Sequence, residues 1–108
     1  MLQVLMALAN PHRLRIVASL AGGRNYVSQL ARELQISRPL LHLHLQKLEA
    51  ASLVEGTLEL SEDGKAMKYY AVSEFALTLT PEAIARAVRS LPDATDGVKS
   101  RNRRRKSS

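Results

Sequence analysis

The side chains best suited to recognising another molecule lie in one stretch of this 108-residue chain, residues 37–50. If the stretch is helical, Leu41, Leu45 and Leu48 share an inward face, so the polar residues lie outward or on the flanks. Arginine can pair with guanine or phosphate, glutamine with adenine, and leucine can contact a thymine methyl group. The residues predicted to contact a nucleic acid are Arg38, Leu40, His42, Leu43, His44, Gln46 and Lys47. The alternative is that the cations are solvated and a leucine packs against another element.

The two histidines of this stretch also raise the question of a metal site. His42 and His44 are two positions apart and point about 200° from one another on a helix, whereas chelation needs a spacing of three or four. His12 is remote in sequence, and the chain has no cysteine that could supply a thiolate or a disulfide. We therefore expect no metal site and no cofactor, with phosphate contact or packing as the role of the histidines.

Two short helices are predicted to position these side chains. Residues 27–34 carry apolar side chains at helical spacing, and Ser37 is predicted to cap a second helix with Pro39 in its first turn. Helices joined by about three residues must cross steeply, as they do in a helix-turn-helix. In this arrangement the second helix presents its outer face to a groove of DNA.

A β-hairpin is predicted to follow the two helices. Residues 53–60 contain alternating apolar and polar side chains, residues 67–72 supply a second strand, and the Asp-Gly pair at residues 63–64 is a turn signal. Such a hairpin, or wing, would offer Lys65 and Lys68 to phosphate. The order of elements predicts a winged helix-turn-helix, a mostly α fold with a small β-hairpin (α+β).

Further helices are predicted at both ends of this unit, where they would serve dimerisation. Residues 2–9 are apolar on nearly every side, and Thr80 followed by Pro81 opens a last helix that Pro92 closes. A monomer this small would struggle to cover both apolar faces, which favours a homodimer over ordinary core within one subunit. The predicted dimer residues are Leu2, Leu5, Leu8, Ile84, Val88 and Leu91.

A helix is also predicted between residues 10 and 22, from an asparagine cap followed by proline to a pair of glycines. Arg13 and Arg15 near its start could approach the DNA backbone or pair with acids such as Glu33 and Glu49, and pairing is the expectation. The inner face of this helix is predicted to consist of Leu14, Val17, Ala18 and Ala21.

The positive charge of the chain is concentrated at its end. The net charge is +6, but six of the sixteen basic residues lie between residues 99 and 106, which leaves ten basic against ten acidic residues elsewhere. We predict a domain of residues 1–93 and a disordered basic tail of residues 94–108. The tail is either a solubilising end or a non-specific DNA contact. Its candidate contact residues are Arg101, Arg103, Arg104, Arg105 and Lys106.

Several functional classes are disfavoured. The chain has no phosphate-cradling glycine motif, no paired-carboxylate spacing and no nucleophile with an identifiable base, so we do not expect an enzyme. No apolar run approaches the ~20 residues needed to cross a bilayer, and the start of the chain lacks the features of a signal peptide. We expect a cytoplasmic protein with no membrane partner.

Three ordered blocks, residues 8–17, 27–31 and 37–48, resemble the ArsR-type winged-helix transcriptional regulators, and the resemblance covers roughly residues 2–91. The resemblance implies a homodimeric, usually repressing regulator, with the first and last helices at the dimer interface and the helix of residues 37–50 in the major groove. It also implies an effector that alters DNA affinity.

The chain departs from the best-known members of that family in two respects. The metal-sensing members carry cysteines on the helix that here spans residues 28–34, or acid and histidine ligands on the last helix, whereas this chain has Glu82 there and no histidine. Members of the family also often have glycine in the helix–helix turn and after the recognition helix. This chain has Gln35 and Ser52 at those places, and either residue could adopt positive φ at some energetic cost.

The leading hypothesis is a dimeric, sequence-specific regulator that binds double-stranded DNA at half-sites about one helical turn apart. One alternative is an architectural or chromatin-associated protein that binds DNA without sequence preference through its tail. Another is a winged helix that serves as a protein-interaction module. The sequence names neither the effector nor the operator, and it does not decide between repression and activation.

Overall fold

The computed structural model describes residues 1–92, in which five helices and a three-stranded antiparallel sheet form. The predicted class, mostly α with a β-hairpin in helix-turn-helix order, is confirmed. The chain separates into two compact units, Met1–Ala76 and a second that begins at Leu77. The predicted division into residues 1–93 and 94–108 stays a prediction. The elements are α1 (Leu2–Leu8), α2 (Pro11–Ala21), β1 (Asn25–Tyr26), α3 (Val27–Leu34), α4 (Arg38–Ala50), β2 (Val54–Leu60), β3 (Ala66–Val72) and α5 (Pro81–Val88).

Side-chain caps fix where three of the helices begin. The Asn10 carboxamide oxygen accepts from the backbone N–H of His12 at 2.9 Å and starts α2. The Ser37 hydroxyl accepts from the N–H of Leu40 at 3.3 Å and starts α4, while Thr80 caps α5 in the same way. A proline follows each cap within two residues, and its missing N–H would have had no partner in the first turn. The predicted helix starts are therefore confirmed.

The core of the first unit lies between α2, α3, α4 and the sheet. The predicted inner face of α2 is wrong, because Ile16 and Leu20 are fully buried whereas Leu14 is 54% exposed. Positions 16 and 20 are four apart and share a helical face, while position 14 points about 200° away from position 16. The largest fully buried side chains are Ile16, Leu20, Leu30, Leu41, Leu45, Leu48, Leu53 and Val54.

Two residues other than glycine adopt the left-handed backbone conformation, one after each helix of the helix-turn-helix. Gln35 has φ 57° and Ser52 has φ 62°, the conformation expected to be possible where related proteins often have glycine. The N–H of the next residue, Ile36 or Leu53, then bonds to a carbonyl five residues back, at 3.1 Å and 3.0 Å. Ile36 packs against the core and fills the turn between α3 and α4. The strained residues thus end both helices abruptly, and the turn at Gln35 lies between α3 and α4.

The sheet has the order β1-β3-β2, with both pairs antiparallel. The β2–β3 hairpin is the predicted wing, and its register runs from Val54↔Val72 to Leu60↔Ala66. β1 was not part of the prediction, because two residues are too short to show alternation. Gly56 lies opposite the buried Tyr70, where a Cβ atom would come within 2.8 Å of the tyrosine ring.

Candidate nucleic-acid interface

α4 divides its side chains between the core and solvent. Leu41, Leu45 and Leu48 are fully buried, which holds the helix against α2, α3 and β2. The structure places most of the predicted contact residues together on the opposite, exposed face. That face carries hydrogen-bond donors, acceptors and apolar groups, the mixture that reading base edges requires. Its residues are Arg38, Leu40, His42, Leu43, Gln46 and Lys47.

His44 does not belong to this face, and its predicted contact with DNA is wrong. The side chain is only 5% exposed and lies beside His12, with ring centroids 5.3 Å apart. The physical reason is helical spacing, because position 44 is three residues after Leu41 and four before Leu48 and so falls on the core side of the helix. That spacing was visible in the sequence.

An arginine from α2 holds the buried histidine. Arg13 Nε donates to His44 Nδ1 at 3.2 Å, which leaves the proton of a neutral ring on Nε2. His44 Nε2 has no hydrogen-bond partner among residues 1–92. Burial first, then the charges of Arg13 and His12, lower the pKa of His44. The ring is therefore held neutral inside the domain.

Arg13 also connects α1 to this pair. Its Nη1 donates to the backbone oxygens of Met6 and Ala7, at 3.4 Å each. The predicted pairing of Arg13 with an acid is wrong, because its partners are these carbonyls and a histidine ring. The carbonyls at the end of α1 carry the negative end of the helix dipole, which suits a guanidinium. One side chain thus joins α1, α2 and α4.

The tip of the wing is a compact turn with both signs of charge. The Lys65 carbonyl accepts from the N–H of Ser61 at 2.8 Å, and Gly64 adopts φ 84°, which a side chain would strain. The Ser61 hydroxyl donates to Asp63, and this bond lowers the pKa of the Asp63 carboxyl. Because Asp63 stays ionised, it offsets the exposed Lys65. Lys68, further along β3, is also exposed.

The wing is held to the loop before β1 by a cluster that sequence reasoning missed. Arg24, in the loop before β1, forms an ion pair with Glu59 on β2, and its Nη2 donates to Glu59 Oε1 at 3.2 Å. Its guanidinium lies 4.3 Å from the ring centroid of Tyr69, which meets Tyr26 edge-on at 5.8 Å. The hydrogen bond from Arg24 lowers the pKa of Glu59. Arg24 and Glu59 are 35 residues apart, so no local pattern could indicate the contact.

A cleft of about 250 Å³ joins the wing to the helix-turn-helix. The first turn of α3 borders it, and no side chain caps that helix start. Uncapped N–H groups and the positive end of the helix dipole favour an anion such as phosphate. The side chains of Arg38 and His42 from α4 and of Lys68 from β3 line the same cleft. The lining residues are Tyr26, Val27, Ser28, Arg38, His42, Ala66, Met67 and Lys68.

The residues predicted for a dimer interface differ in their exposure. On α1, Leu2 is exposed, whereas Leu5 is half-buried and Leu8 packs against the core. In the second unit, Ile84, Val88 and Leu91 are all exposed on or just beyond α5. The predicted contact residues of the tail, 101–106, lie outside the described residues.

Residues 1–92 were also searched for metal-binding clusters and for membrane-spanning helices. Within residues 1–92, no three His, Asp or Glu side chains converge to hold a metal ion. Over the same residues, no helix has the length and apolar character of a membrane span.

Comparisons with known proteins point to one family. A profile described as a helix-turn-helix domain matches residues 8–57. An uncharacterised HTH-type transcriptional regulator of Methanocaldococcus jannaschii is 41% identical over 78 residues, which cover 72% of this chain and 81% of that protein. A homodimeric winged helix-turn-helix DNA-binding domain from Mycobacterium bovis, part of a possible ArsR-family transcriptional regulator, superposes with a TM-score of 0.60. It is 29% identical, with 81% of this chain and 69% of that chain covered. HlyU from Vibrio cholerae superposes with a TM-score of 0.59 at 26% identity, over 82% of this chain and 84% of its own.

The crossed helices α3 and α4, followed by the β2–β3 hairpin, define a winged helix-turn-helix protein. The exposed face of α4 is the part that this class of fold offers to a groove. The chain belongs to the ArsR-type winged helix-turn-helix family of transcriptional regulators. The resemblance carried by the three sequence blocks is therefore confirmed.

Proposed function

We propose that this regulator binds a specific sequence in double-stranded DNA as a homodimer and represses transcription there. The observation that carries the proposal is the exposed face of α4, which lies beside the uncapped start of α3 and Lys68 of the wing. Base edges and backbone phosphates can both be reached from such a surface. The effector that would release the DNA is the subject of the further inference below.

The roles of the side chains follow from their chemistry. Gln46 can pair with adenine, Arg38 with guanine or phosphate, and Leu43 can contact a thymine methyl group. Lys65, Lys68 and the first-turn N–H groups of α3 would hold the backbone, which positions the helix without reading sequence. Loss of a base contact should therefore change specificity, whereas loss of a phosphate contact should weaken binding to every sequence.

A homodimer would place two α4 helices on half-sites about 34 Å apart, one turn of B-DNA. The exposed side chains of Leu2 on α1 and of Ile84, Val88 and Leu91 on or just beyond α5 support this assembly. The homodimeric state of the Mycobacterium bovis domain also supports it. A regulator of this kind works by binding rather than catalysis, which favours a cytoplasmic, non-enzymatic protein without a cofactor.

The test is fluorescence anisotropy of the full chain and of residues 1–94, titrated at two salt concentrations. DNA from the region upstream of its own gene is compared with a scrambled duplex of the same composition. A preference for the upstream DNA that survives truncation would support the proposal. Equal binding to both duplexes, lost on truncation or at the higher salt, would refute it and favour a non-specific role for the tail.

The non-specific alternative rests on one observation. Residues 99–106 hold six of the sixteen basic residues, and the remainder of the chain is formally neutral. Six phosphate contacts would add about 5 to the salt slope of each subunit, enough to dominate binding by a neutral body. The same titration separates the two functions, because only the specific regulator keeps its preference without the tail.

A further inference from the structure

An open cleft of about 380 Å³ lies between α1, α2 and α4, away from the wing. Its size falls within the range of small-molecule sites. α1 contributes three residues, α4 two and α2 one. The lining residues are Gln3, Met6, Ala7, Arg13, Lys47 and Ala50.

The cleft combines two cations with an apolar wall. Arg13 and Lys47 bring positive charge from α2 and α4, and within the described part of the chain no Asp or Glu lines the cleft. Met6, Ala7 and Ala50 supply apolar surface beside them. A cleft of about 400 Å³ between the end of α4 and β2 is lined by two glutamates, so the absence of acids here is not a general property of this surface.

Arg13 is held in place before any ligand arrives. Its Nε and Nη1 are engaged by His44 and by two carbonyls of α1, while Nη2 makes no hydrogen bond to the described residues. Gln3 Nε2 donates to the backbone oxygen of Ala50 at 3.0 Å, which ties α1 to the end of α4 beside the cleft. A guanidinium that is already oriented loses little entropy when it binds an anion.

We propose that this cleft binds a small organic anion. Its carboxylate pairs with Arg13 and Lys47, and its apolar body lies against Met6 and the two alanines. Lys47 also belongs to the exposed face of α4, so an anion that engages it removes a cation from the DNA-facing surface. The regulatory consequence rests on the proposed function: the anion lowers affinity for DNA and acts as the effector.

The first test measures the ligand without DNA. Hexanoate is titrated into the ¹⁵N-labelled full chain at constant ionic strength, with hexan-1-ol as the neutral probe of the same length. Saturable amide shifts centred on Gln3, Ala7 and Ala50 are expected with hexanoate and not with hexan-1-ol. No saturable shifts, or equal shifts with both probes, would overturn the proposal.

Variants then test the role of charge in the cleft. Lys47→Gln removes one of the two cations from an exposed position, so the fold is expected to persist and the hexanoate Kd to rise about tenfold. Lys65→Gln removes a cation from the wing and should leave that Kd unchanged. If the two variants raised the hexanoate Kd equally, hexanoate would be attracted by the positive charge of the protein in general, and the proposed site would be wrong.

The same spectra distinguish the source of the anion. If duplex DNA shifts these amides and hexanoate does not, the cleft is part of the DNA backbone contact and the proposal is wrong. If hexanoate binds and also weakens DNA binding by about fivefold or more, the effector role is supported. Hexanoate binding by a protein that binds no DNA would support the site while refuting the proposed function.

Discussion

The buried histidine of α4 makes the stability of the protein depend on pH in a direction that can be worked out. Burial and the neighbouring charges of Arg13 and His12 lower the pKa of His44 below its ordinary value of 6.5. Between those two pKa values the unfolded chain carries a proton on residue 44 that the folded protein does not. The contribution of the neutral His44 ring to the free energy of unfolding is therefore complete above about pH 6.5. It is lost as the pH falls through the pKa of His44 in the folded protein.

The magnitude follows from linkage. A difference of one bound proton changes the free energy of unfolding by at most about 1.4 kcal/mol per pH unit. Urea unfolding at pH 7.5, 6.5 and 5.5 should show this decline in the wild type. In His44→Gln the part of this pH dependence that comes from residue 44 should disappear, because the glutamine carboxamide can accept a hydrogen bond from Arg13 but takes up no proton.

A matched control lies two residues away on the same helix. His42 is exposed, so His42→Gln should keep the pH dependence of the wild type. Comparing the variants with the wild type removes the contribution of the carboxylates, which titrate in all three proteins. Parallel stability profiles for wild type and His44→Gln would refute the assignment of the buried neutral ring.

Three further predictions follow from the cap, the sheet and the DNA-facing surface. Ser37→Ala removes the cap of α4 and should lower the free energy of unfolding by about 1 kcal/mol in urea, and an unchanged midpoint would contradict the role of the cap. Gly56→Ala places a Cβ atom 2.8 Å from the ring of Tyr70 and should lower the free energy of unfolding by about 1–3 kcal/mol. A variant as stable as the wild type in a thermal melt would show that the ring can move aside without cost. Lys68→Gln should weaken binding to upstream and scrambled DNA alike and lower the salt slope of binding by about 1. Gln46→Ala should instead reduce the preference for upstream over scrambled DNA by about 1–3 kcal/mol. The reverse pattern in fluorescence anisotropy would exchange the roles assigned to the two residues.

The parts of the fold that were predicted correctly depend on local signals. The caps at Asn10 and Ser37 each act within three residues, so the sequence around them is sufficient. Gln35 and Ser52 stand where members of the family often have glycine, and both adopt positive φ. Helix starts, helix ends and the wing turn could therefore be read without knowledge of tertiary contacts.

The features that were missed depend on residues far apart in sequence. The core-side position of His44 follows from its helical spacing, but the residue that donates to it, Arg13, lies 31 residues away on α2. β1 exists because β3 offers it a partner, since two residues have no strand signal of their own. The contact of Arg24 with Glu59 joins a loop to the wing for the same kind of reason. Contact of the α4 face with DNA stays a prediction.

The two-residue strand β1 also has a consequence for how the domain folds. By pairing Tyr26 with Tyr69, it closes a loop that contains the whole helix-turn-helix and most of the wing. Closure of such a long loop costs chain entropy, which the packing of α3 and α4 inside it helps to offset. α4 and the paired strands of the wing should therefore form and melt in one cooperative step. A substitution that destabilises the wing should then also disturb the placement of α4.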